Sequence, residues 1–104
     1  MYSRVTLLEI DTVRIGVDEA TELFTSQVLP ELRAQAGFEG AVVLANDDGK
    51  GMIISVWDSE ETAAAAAGFG TEILERYVAL FRSPPGREYY RVAYAEMPEV
   101  TVGP

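Results

Sequence analysis

The chain has 104 residues, 48% hydrophobic, 24% charged and 10% aromatic, with a formal charge of −9, seven Arg to one Lys, and neither Cys nor His. Such a chain fits one globular domain, residues 1–104, and its acidity argues against nucleic acid, whose affinity comes from Lys and Arg neutralising phosphates, and against an anionic membrane surface. The missing Cys and His remove disulfides, a thiol nucleophile, the usual general base near neutral pH, and the commonest zinc and haem ligands.

Residues Tyr2 to Asp11 hold Val5, Leu7, Leu8 and Ile10 without a breaker and read as a first strand. Gly16 to Asp18 reads as a turn with Asp18 as helix N-cap, followed by Glu19 and Glu22 in a first turn that favours acids. Ala20, Leu23, Phe24, Val28 and Leu32 recur at helical spacing, Pro30 should loosen that helix, and Gly37 should stop it. Phe38 to Ala45 and Lys50 to Trp57 flank Asn46-Asp47-Asp48-Gly49 and read as a β-hairpin. The loop lacks the downstream Glu and the spacing of a calcium site, so no metal is expected.

Asp58 or Ser59 should cap a second helix. Gly68 and Gly70 should interrupt it, as a break or a pocket lid, and Thr71 should recap a segment running to about Arg82 with Ile73, Leu74, Tyr77, Val78 and Phe81 as its apolar face. Ser83-Pro84-Pro85-Gly86 ends it, Arg87 to Glu96 is the last strand, and residues 97–104 form a C-terminal tail. The order β-α-β-β-α-β predicts an α+β, ferredoxin-like fold: a four-stranded antiparallel sheet with both helices on one face.

Strand alternation gives the hairpin two apolar faces. With an ordinary four-residue loop, Phe38, Val42, Leu44, Ile53 and Trp57 share one face, and Ala41, Val43, Met52, Ile54 and Val56 the other. Helices cover one face only, and an antiparallel face left in water should be polar. A second copy is the economical cover, so a homodimer through the sheet face is expected.

Leu29-Pro30-Glu31-Leu32-Arg33 followed by Gly37-Phe38-Glu39-Gly40, and Gly51 to Ser55 leading into Val56-Trp57-Asp58-Ser59-Glu60-Glu61, carry a resemblance. With them the chain resembles the dimeric α/β-barrel superfamily and, within it, the antibiotic-biosynthesis-monooxygenase-like (ABM-like) proteins, from strand one to strand four. The resemblance implies a dimer whose sheets face each other, a pocket in each subunit between sheet and helices, and cofactor-independent oxidation of polyphenols or quinols. Haem-degrading relatives use a helix His as iron ligand. This chain has no His, so no cofactor is expected.

Pocket candidates for a small apolar or aromatic ligand are Trp57, Phe24, Tyr77 and Phe81, which as plain core would serve packing alone, and Arg4, which could face a carboxylate or an oxyanion. Arg87 and Arg91 share that alternative with surface ion pairing, and Glu9 or Asp11 could pair with such an Arg. Tyr90 and Tyr94 should share one face of the last strand, and Tyr89 and Arg91 the other. No residue stands out as catalytic, and no phosphate loop, dinucleotide fingerprint or nucleophile elbow is present. Three functions follow as expectations: a cofactor-independent monooxygenase acting on a small aromatic, quinol-like substrate, a non-catalytic, small-molecule-binding or stress-associated dimer, or a structural or interaction module. The N-terminus shows no basic region followed by an apolar run, and no stretch approaches a membrane span, so a cytoplasmic protein is expected.

Overall fold

A computed structural model describes residues Met1–Met97, so all of the expected tail beyond Met97 lies outside the described residues. Four antiparallel strands form one sheet: β1 (Tyr2–Glu9), β2 (Phe38–Ala45), β3 (Lys50–Trp57) and β4 (Gly86–Arg91), in the order β2-β3-β1-β4. The helices between β1 and β2, and between β3 and β4, make the second layer. This is the α+β, ferredoxin-like architecture that the element order predicts.

The first helical stretch comprises α1 (Val17–Leu23), a π-helical turn (Phe24–Val28) and α2 (Leu29–Arg33). Pro30 explains the middle piece. Its nitrogen cannot donate to the carbonyl of residue 26 and its ring crowds that turn, so the ladder widens just before it, with Leu29 N–H donating to Phe24 O. Asp18 is not the N-cap. Gly16 holds that position in extended backbone, Ala20 N–H donates to its carbonyl, and Asp18 falls in the first turn with Glu19. Gly37 stops the stretch at φ +81°, where a Cβ would collide with the side chains of Thr62 and Asp58.

The hairpin corrects the expected face assignment of β2. Ala45 pairs with Gly51, Val43 with Ile53 and Val42 with Ile54, so five residues, not four, separate the last pair. Asn46 organises that loop: its Oδ1 accepts from Asp48 N–H and Lys50 N–H. The extra residue slips the register by one and moves Ala41 and Val43 to the helix side and Val42 and Leu44 to the other. A bulge between Phe38 and Gly40 absorbs the slip, so Phe38 still pairs with Trp57.

Ser59 caps α3 (Glu60–Ala65) through a reciprocal pair with Thr62. The break expected at Gly68 and Gly70 falls instead at Ala66. From Ala67 helix α4 (Ala67–Arg76) runs through both glycines, and Thr71 does not recap it but bonds back to Ala67 O. The helix ends at Arg76, short of Arg82. A 3₁₀ turn (Val78–Leu80) follows, and Phe81 is extended, bridged to Ile10. Strand β4 stops at Arg91, short of the expected Glu96, because its pairing with β1 ends where β1 begins, at Tyr2.

The core lies between helices and sheet around Trp57, which is fully buried, with Phe24, Val28, Leu32, Ala63, Ala66 and Ile73. Phe38 meets Trp57 edge-on at 5.6 Å between ring centroids. The opposite face carries Val5, Leu7, Val42, Leu44 and Ile54, and Leu7 and Leu44 are 45% and 51% exposed. Among the described residues, no helix is long and apolar enough to cross a membrane.

Candidate functional site

Two adjoining cavities lie between sheet and helices. The larger, about 110 Å³, sits at the hairpin end of the sheet. Leu8, Val43 and Ile53 line it from the strands, and Phe24, Val28 and Ile73 from the helices. The π-turn bears on this wall: both Phe24 and Val28 belong to it and both are buried. The lining contains no Asp, Glu, His or Cys, and its polar side chains are those of Thr21, Lys50 and Tyr77. Apolar cavities of roughly 150 Å³ take up benzene, so this one matches a ligand of about one ring.

The smaller cavity, about 50 Å³, shares Phe24, Val28, Ile53, Ile73 and Leu74 with the larger and adds Arg4, Thr6, Leu32, Ser55, Phe69 and Gly70. It is the polar end of the site. Arg4 is only 5% exposed, and its Nε has no hydrogen-bond partner. Burial lowers its pKa from the ordinary value, Tyr89 opposes that shift, and the neighbouring Arg87 adds to it. The guanidinium lies over Gly70, where a Cβ would overlap it, so a larger residue there would push the arginine aside. The backbone beneath is pinned: Trp57 Nε1–H donates to Ser55 Oγ at 3.0 Å, and Ser55 Oγ–H donates to the Arg4 carbonyl at 3.4 Å.

The candidate side chains thus separate into two groups. Phe24, Tyr77 and Phe81 meet at the larger cavity, and Phe24 and Arg4 at the smaller. Trp57 lines neither; its ring is sealed in the core and its N–H is satisfied by Ser55. The Tyr77 hydroxyl is not buried but reaches the surface, where it donates to Gln27 Oε1 at 2.9 Å.

The register with β1 puts Arg87, Tyr89 and Arg91 on the helix side with Arg4, and Tyr90 on the other. Arg87 donates to Thr71 Oγ1, the neighbour of Gly70. Glu9 pairs with Arg82 and Asp11 with Arg14, not with Arg4, Arg87 or Arg91. Sequence reasoning passed over Ser55, and it read Gly68-Phe69-Gly70 as a break or a pocket lid, not as the seat of an arginine. The readable signal was the small residue at 70, whose reason is an arginine distant in sequence.

No family model and no curated protein matches the chain. Solved structures do. The NE2512 protein of unknown function from Nitrosomonas europaea aligns at TM-score 0.72 and 18% identity, over 95% of each chain. A monooxygenase from the gene ActVA-Orf6 of Streptomyces coelicolor, in complex with the ligand nanaomycin D, aligns at TM-score 0.66 and 25% identity, over 94% of this chain and 92% of that one. SnoaB, a cofactor-independent oxygenase from Streptomyces nogalater, aligns at TM-score 0.66 and 17% identity, over 90% and 94%. Antibiotic biosynthesis monooxygenases recur among the similar structures, and the fold of this chain is ABM-like.

Proposed function

We propose that the protein is a cofactor-independent monooxygenase that takes a small, quinol-like aromatic into the cavity between sheet and helices, and that it works as a homodimer. The observation that carries this reading is the half-open apolar cavity at the wall of the π-turn, in a fold shared with oxygenases. An electron-rich hydroxyarene with an acidic C–H can reduce oxygen itself. In an anthrone, or in the keto tautomer of a quinol, a CH₂ group becomes C=O, one oxygen atom enters the product, the other leaves as water, and the substrate supplies all four electrons. The protein's part is to hold the ring, exclude water and favour the deprotonated substrate. The lining of Phe24, Val28, Val43 and Ile53 supports the first two tasks.

The dimer reading rests on the open sheet face, where Leu7 and Leu44 stay exposed on an apolar surface that none of the helices covers.

The test is oxygen uptake with single-ring quinols, naphthohydroquinones and anthrones. Uptake matched to substrate loss is expected, strongest for the smallest rings and reduced at least tenfold in Phe24→Trp, which fills the cavity. No uptake across the panel would overturn the oxygenase reading. It would leave the second one, a non-catalytic small-molecule-binding or stress-associated dimer, which the lining favours because it offers no carboxylate or imidazole as a general base. Native mass spectrometry of the purified dimer would then reveal the retained ligand.

A further inference from the structure

Arg4 presents a problem of charge. The chain carries 17 acidic residues against 8 basic ones. Nevertheless no carboxylate among the described residues forms an ion pair with this buried guanidinium. An arginine cannot escape burial by losing its proton, and its Nε, buried without a partner, is costly to leave unpaired. The surroundings deepen the problem. Register places Thr6 opposite Arg87, Arg4 opposite Tyr89 and Tyr2 opposite Arg91. Three of the seven arginines therefore share the helix side of β1 and β4, while Glu88, the acid of β4, faces the other way. Gly70 makes room for the guanidinium within α4, and Thr6 and Ser55 are the polar side chains beside it in a small, otherwise apolar cavity.

We propose that this cavity is an anion site, in which Arg4 binds the carboxylate or phenolate oxygen of a single-ring aromatic whose ring occupies the adjoining apolar cavity. The inference rests on the proposed function for the ring's location and adds the substrate class: an acidic aromatic instead of a neutral one. The guanidinium presents a planar fork of N–H donors suited to a carboxylate, and equally able to hold a single phenolate oxygen. Arg87 reinforces the positive field without entering the cavity.

Calorimetric titration of the full-length protein with benzoate and with benzamide, its neutral counterpart, tests the site without turnover. Benzoate should bind at least tenfold more tightly, and Arg4→Gln should bring the ratio near one, chiefly by weakening benzoate. A parallel titration with p-nitrophenol, followed by absorbance, distinguishes the two sources of anion: a phenolate site makes the bound phenol ionise at lower pH than the free one. A preference in either arm supports the site and identifies its ligand. Equal affinity for benzoate and benzamide together with an unshifted p-nitrophenol would overturn it, as would a preference that survives Arg4→Gln. Gly70→Ala, which displaces the guanidinium, serves as a second variant if Arg4→Gln fails to fold, with the same expected loss of ratio. Benzoate selectivity without oxygen uptake would leave the anion site standing and remove the oxygenase. Oxygen uptake without anion selectivity would do the reverse.

Discussion

On β1, Arg4 and Thr6 point toward the helices, whereas Val5 and Leu7 point away from them. An antiparallel sheet with one face in water shows the opposite arrangement, apolar inside and polar outside. The helix-covered face here is sealed by Trp57 and Phe24 but includes a cation, and the open face is hydrocarbon across β2, β3 and β1. Burial and polarity are therefore uncoupled. A sheet that hides its charge and exposes its hydrocarbon has two faces to satisfy, and the proposed anion and the proposed second copy would satisfy one each.

Four substitutions break or sharpen this contrast. Trp57→Ala removes the anchor of the covered face and should cost about 3–5 kcal/mol. For a domain of this size that lowers Tm by roughly 15 °C or more, measurable by calorimetry. A loss below about 1 kcal/mol would mean the covered face does not depend on it. Ile54→Asp puts a charge in the middle of the open face. It should weaken the proposed dimer by about a hundredfold or more in sedimentation equilibrium, because a lone carboxylate must be desolvated there. The circular dichroism of a folded chain should persist, and an unchanged dimer would show that this face is not the interface.

Gly37→Ala acts beside the covered face, where the chain turns from α2 into β2 at φ +81°. Left-handed backbone at a residue with a Cβ costs roughly 1–2 kcal/mol, and the Thr62 and Asp58 side chains stand in the way. An unshifted urea midpoint would contradict that geometry. Tyr77→Phe should have the smallest effect, about 0.5–1 kcal/mol, since its bond to Gln27 is close to solvent. A larger loss would mark this contact as the fastening of α4 over the cavity.

Much of the scaffold was legible because local chemistry decides it. Asn46 builds its turn from its own side chain, Ser59 caps its own helix, and Pro30 disturbs its own ladder. The candidate site was legible in part: Phe24, Tyr77 and Phe81 do converge on one cavity. Trp57 stood open between pocket wall and core because an aromatic at a strand end looks alike as either, and burial places it in the core. The faces of β2 were reversed because a five-residue loop and a compensating bulge cancel at Phe38, where the pattern is easiest to read.

The sequence by itself determined the element order, the two apolar faces of the hairpin and the absence of thiol and imidazole chemistry, since each follows from residue type and spacing along the chain. Only the tertiary structure decided which residues share a cavity. Arg4 meets Gly70 across 66 positions, and Ser55 stands between Trp57 and the Arg4 backbone. No local pattern encodes such meetings, because strand register and helix docking set them together.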